Sequence, residues 1–182
     1  MRPKLRFLAV VLFVASASAL ALFTRSPQAQ PTSIAACGVE RWNIKTLKDR
    51  PTLLPAKLVT MRYLVTRRAP ASLPDTRLPF ERHVFTAFAR VTLVRPEDDG
   101  DFHIVLQGGS SHMIQAPSPS CTAGAKPALR HAMTGAHTHV RLCTRAKVTG
   151  VAFFDFKHGQ TGVAPNAIEL HPILGFHCLT GF

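Results

Sequence analysis

Carboxylates are scarce in this chain: ten Asp and Glu stand against 22 Lys and Arg in 182 residues, for a formal net charge of +12. A self-repelling acidic chain is thereby excluded, and an anionic partner is favoured. In the basic first half, aromatic side chains that could stack on bases are few: after Trp42 only Tyr63, Phe80, Phe85 and Phe88. Only four cysteines occur and none forms a C-x-x-C pair, which argues against thioredoxin-like redox chemistry and zinc ribbons. The chain has no Gly-x-Ser-x-Gly, no Cys-His nucleophile pattern and no Gly-rich phosphate loop, so serine hydrolases, cysteine proteases and P-loop enzymes receive no support. Internal repeats and low-complexity runs are also missing.

What is present begins with Met-Arg-Pro-Lys-Leu-Arg, then an uncharged stretch from Phe7 to Phe23 with small residues at Ala19 and Ala21. This pattern predicts a secretory signal over residues 1–21, followed by a polar linker over 22–36 and a location outside the cytoplasm, either secreted or in the periplasm and cell envelope. The alternative is an uncleaved anchor, because the stretch is at the lower limit for spanning a bilayer. With the signal removed, no stable membrane span is expected. No cysteine follows the apolar run, so no lipoprotein anchor is expected either. Cys37, Cys121, Cys143 and Cys178 all follow the signal, and an even number in an exported chain favours two disulfides. Three pairings are open. The expected one joins Cys121 to Cys143 and Cys37 to Cys178, clasping a segment and tying the ends.

Charge is unevenly spread. Residues 41–95 hold twelve Lys or Arg against Asp49, Asp75 and Glu81, whereas residues 96–182 balance six of each sign. Arg62, Arg67, Arg68, Arg77 and Arg82 are therefore the candidate contacts to an anionic polymer, either nucleic acid or acidic polysaccharide; the alternative is a solvated face that aids solubility.

Residues 37–82 read as an extended basic arm, broken by Pro51, Pro55, Pro70, Pro74 and Pro79, with a possible strand over Leu58–Thr66 and Trp42 as a packing anchor. Residues 83–182 read as the globular part. His83–Arg95, Asp101–Gln107 and Ser111–Gln115 form a meander, with Phe102, Ile104 and Leu106 facing one way and Asp101 and His103 the other. A helix over Lys126–Thr134, stopped by Gly135, comes before strands over Val140–Phe156 and Ile168–Leu179. Three strands, one helix and two strands is the element order of the OB-fold. The predicted class is mainly β with one helix: an OB-like five-stranded barrel behind an irregular arm. A β-sandwich with a helical crossover is the alternative.

The run from Ala89 to Leu106, with Asp99-Gly100-Asp101 before its second strand, resembles the opening of the thermonuclease family. That resemblance implies an OB-fold, and in that family calcium held by carboxylates and arginines on the scissile phosphate. In that family the next strand brings an Arg and an Asp, followed closely by a Glu; here the chain reads His112-Met-Ile-Gln-Ala-Pro-Ser-Pro-Ser120, with no Arg and no carboxylate, so the resemblance supports the fold more than the activity. The segments Glu40–Leu47, Asp99–Leu106 and Gly150–Pro172, the last containing Phe153-Phe-Asp-Phe-Lys-His-Gly-Gln160, together resemble a group of uncharacterised exported bacterial proteins. This second resemblance implies a family identity and brings no activity.

Asp155, His158, Gln160, Asn166, Glu169 and His171 crowd one segment, and Asp101 and His103 join them if the last strand lies near the second. Asp, Glu and His suit a divalent ion, and a Glu beside a His is a workable acid–base pair. A fully bonded structural network has the same composition. No cofactor is evident beyond such a metal. Glu97, Asp98, Asp99 and Asp101 crowd a hairpin turn, and His131, His137 and His139 are expected at the surface near the helix end. The expectation is thus a non-catalytic binding or envelope-associated module, with a metal-dependent hydrolase using Asp101, His103, Glu169 and His171, or a purely structural domain, as alternatives.

Overall fold

The computed structural model describes residues 37–108, 111–116 and 119–181. The expected signal and linker lie outside the described residues. The first described segment is not wholly extended. It carries a short helix α1 (Trp42–Lys45), a two-residue strand β1 (Lys57–Leu58) and a helix α2 (Met61–Val65) before a 3₁₀ turn over Pro79–Arg82. The region read as a strand is thus largely a helix. Met61, Leu64 and Val65, spaced for one helix face, are buried, and Thr60 Oγ1 accepts from the Tyr63 N–H as an N-cap.

The remainder is a curled sheet of β2 (Val84–Pro96), β3 (Phe102–Gln107), β4 (Ser111–Ala116), β5 (Cys143–Phe154) and β6 (Ile168–Thr180), with α3 (Pro127–His139) between β4 and β5. Strand order is β4-β3-β2-β5-β6, and β1 pairs parallel to β2. The outermost strands, β4 and β6, approach each other, giving the OB-like half-barrel predicted from element order. Long β2 serves both halves, since Val84–Val91 pairs with β5 and Arg90–Pro96 with β3.

Alternation places Phe85, Ala87, Ala89 and Val91 of β2 in the barrel core with Ile104, Leu106, Val148, Leu170 and Phe176. On the opposite face, Val84 and Val151 pack with Met133 of α3. That burial carries α3 four residues beyond Gly135, the expected stop: Met133 and Ala136 are buried, and their packing outweighs the roughly 1 kcal/mol helix penalty of a glycine.

Both disulfides differ from the expected pairing. Cys37 bonds Cys121, and Cys143 bonds Cys178. Pairing of β5 with β6 brings the start of β5 to the end of β6, where Cys143 and Cys178 have a Cα separation of 5.8 Å, while Cys37 meets the 3₁₀ turn before α3. Among the described residues, no helix is long and apolar enough to cross a membrane.

Candidate functional site

The crowded polar segment folds into a buried network where β6 begins. His171 is fully buried, with Nε2 3.3 Å from Asp101 Oδ2 and Nδ1 3.4 Å from Glu169 Oε2. The approach to Asp101 is an ion pair whose geometry falls short of a hydrogen bond. Burial pushes the His171 imidazolium down, but the Asp101 charge and the contacts to both carboxylates outweigh it and hold the pKa at about 9. His171 is therefore a cation at neutral pH. Burial raises the Glu169 carboxyl against the opposing hydrogen bond from His171.

Asp155 follows the last residue of β5 and meets a residue that sequence reading did not single out. Lys45 of α1 donates from Nζ to Asp155 Oδ2 at 2.7 Å, and Asp155 Oδ1 accepts the Phe156 N–H. Burial works against the Lys45 ammonium, yet Asp155, Glu169 and Asp101 together raise its pKa. His103 is also buried, and its Nε2 donates to the Thr161 carbonyl at 2.8 Å. Strand alternation alone would leave this side of β3 open, but the loop after β5 covers it. At Gly162, with φ of 85°, an added Cβ would lie 2.5 Å from Val105 Cγ2, so only glycine lets the loop lie this close.

His158 lies at the outer edge of this network, near Asp155. It is exposed, 3.1 Å from Glu40, at the mouth of a cavity of about 330 Å³ lined by Glu40, Lys45, Glu97, Asp98, Asp99, Asp155, His158 and Gln160. Glu40, Asp155 and His158 can bring one donor atom each within 4.8 Å of one another. The calcium implied by the thermonuclease resemblance does not fit these residues: Asp101 is engaged with His171, and Lys45 holds a positive charge against Asp155.

A second polar hub also escaped the sequence reading. Arg41 and Glu81 are buried and bidentate, at 2.7 and 2.8 Å, and Arg41 also donates to the carbonyls of Pro74, Thr76 and Phe154. Forty residues separate the pair in sequence, so no local pattern reveals it.

The five candidate arginines divide. Arg77 is a structural clamp, donating to Asp49, Ile44 and Glu81. Arg67 donates to the Tyr63 carbonyl and lies 4.1 Å from the Tyr63 ring. Arg62, Arg68 and Arg82 are exposed, with Arg82 donating to the Thr52 carbonyl. Another cationic surface lies on the sheet. Phe88 pairs with Lys147, and Lys147 pairs with His177, across β2, β5 and β6. Arg145 sits 5.3 Å from the Phe88 ring, and Arg90 follows Phe88 on the same exposed face. The three strands carry one carboxylate, Glu169, which is buried. A cleft of about 260 Å³ lined by His131, His139 and His177 borders this face beside α3. His131 and His139 are exposed as expected, whereas His137 is partly buried against Phe102, at 4.5 Å between rings.

No family model and no curated protein matches the chain. Among solved structures, it is similar to a chain described as a putative aspartyl-tRNA synthetase from Leishmania major Friedlin, at 14% identity and a TM-score of 0.45. The likeness covers 69% of this chain and 21% of that one, and at this level carries nothing about activity.

Proposed function

We propose that this chain is a non-catalytic, envelope-associated module that binds an anionic polymer. The observation that supports it is the sheet face of Phe88, Arg90, Arg145, Lys147 and His177, which has no exposed carboxylate on its three strands. Cations on a rigid sheet hold their spacing, and basic side chains gathered on one face attract an anionic polymer. This adds the barrel to the arm, where Arg77 is committed to internal bonds while Arg62, Arg68 and Arg82 are exposed. The test is binding of heparin and of a single-stranded oligonucleotide at several salt concentrations. Affinity should fall steeply with salt, and the R90E/R145E/K147E variant should lose it. Salt-insensitive binding, or an unaffected triple variant, would sink the reading.

A second reading, cation chemistry at the acidic cavity, is favoured by the grouping of Glu40, Asp155 and His158. The named hydrolase residues fit it poorly, because a protonated His171 has no lone pair to offer a metal.

A further inference from the structure

Beside the Pro-broken segment, two adjoining cavities form one apolar groove. The first, about 430 Å³, is lined by Arg67, Arg68, Pro70, Leu78, Pro79, Phe80 and Phe154. The second, about 230 Å³, shares Pro70 and Phe154 and continues past Leu73, Phe156 and Pro165 to Lys157. The combined space falls in the range of small-molecule sites, ~300–1,000 Å³.

Its walls are pinned. Asn166 Nδ2 donates to the carbonyls of Leu64 and Arg67, both at 2.9 Å, joining the end of α2 to the loop before β6. Arg41 ties the segment between the lining residues Leu73 and Leu78, at the Pro74 and Thr76 carbonyls, to the carbonyl of Phe154. Prolines at 70, 74 and 79 stiffen the segment further by fixing φ. A groove held open in this way needs no ordering when a ligand arrives.

Its charge is one-sided. Arg67, Arg68 and Lys157 stand on the rim, and the single carboxylate in the lining, Asp155, is neutralised by Lys45. We propose that this groove binds a single-chain amphiphile with an anionic head: the chain lies over Phe80, Phe154 and Leu73, and the head, a carboxylate or phosphate monoester, meets Arg67 and Arg68. Arginine suits such a head because its planar fork can donate two parallel hydrogen bonds; Arg67 has its two terminal nitrogens to offer, its Nε being bonded to the Tyr63 carbonyl. The site is separate from the sheet face and stands or falls independently of polymer binding.

The test is calorimetric titration of the oxidised protein with dodecyl phosphate below its micelle threshold, alongside inorganic phosphate and dodecyltrimethylammonium. Saturable one-to-one binding is expected for dodecyl phosphate alone. It should weaken tenfold or more in R67E/R68E, weaken also in Phe156→Ser, and persist in R90E/R145E. Near-UV circular dichroism checks that each variant is folded. Equal loss in R90E/R145E would mean diffuse attraction to a basic protein and would overturn the proposal. So would the absence of saturation, or equal binding of the cationic amphiphile.

Discussion

His171 Nε2 sits 3.3 Å from the Asp101 carboxylate, joining the start of β3 to β6, strands that are not paired in the sheet. The pair has a pH signature. With its pKa held at about 9 in the folded protein, His171 contributes stability that is fully present below about pH 6.5 and lost as pH rises through 9. The size is up to ~3 kcal/mol, because each tenfold gain in proton affinity on folding is worth about 1.4 kcal/mol. Urea unfolding at pH 6, 8 and 10 should show this decline. Asp101→Asn, which removes the principal charge holding the proton, should move the decline to lower pH. A wild type equally stable at pH 6 and 10 would mean that folding leaves the His171 pKa unshifted.

Lys45 and Asp155 form a buried pair that should behave asymmetrically. Lys45→Met or Asp155→Leu alone leaves an uncompensated buried charge and should cost about 3–5 kcal/mol. The double variant should cost less than the sum, because neither member of the pair is then left facing a missing partner, although the Phe156 N–H loses its acceptor. Equilibrium unfolding of all four proteins closes the cycle, and strict additivity would show that the two side chains do not interact.

The OB-like order was legible because β2 to β6 and α3 each carry a local signal: β-branched runs, alternation in Phe102–Leu106, and Pro127 in the first turn of the helix. The crowding of Asp155, Glu169 and His171 was legible for the same reason. Lys45 and the Arg41–Glu81 hub were not, because their partners lie 110 and 40 residues away and each looks locally like one more charge in a basic arm. The disulfides failed for a related reason. Which cysteine Cys178 can reach depends on the β5–β6 register, and nothing near Cys178 in the sequence encodes that.

The two bridges should differ in what their loss does. Cys37–Cys121 closes 84 residues and Cys143–Cys178 closes 35, so chain entropy alone predicts losses of ~4.6 and ~3.8 kcal/mol. Cys143–Cys178, however, joins strands already held by their hydrogen-bonded ladder, whereas Cys37–Cys121 anchors the segment that carries Arg41 and Lys45. Replacing Cys37 and Cys121 by Ala should therefore be the more damaging change, and should also expose Trp42, which is buried in the oxidised protein. Denaturant midpoints and Trp fluorescence measure both effects.

The acidic cavity allows a direct test of cation binding. A ligand that binds only the folded state raises the unfolding midpoint by mass action. Glu40 and His158 sit at the rim and are exposed, so Glu40→Gln and His158→Ala should leave the stability of the metal-free protein within ~0.5 kcal/mol of wild type. Asp155 is different: its tie to Lys45 places an ammonium beside any cation that would share its oxygens. The expected result is therefore selective. Zinc, which takes His158 and Glu40 readily, should raise the midpoint more than calcium, which needs about six or more oxygens around it. Both rim variants should abolish the rise, while Glu169→Gln, behind the cavity, should lower the metal-free midpoint and leave the zinc increment intact. If zinc, calcium and magnesium all leave the wild-type midpoint unchanged, the carboxylates around this cavity serve only to hold Lys45 and the hairpin turn in place.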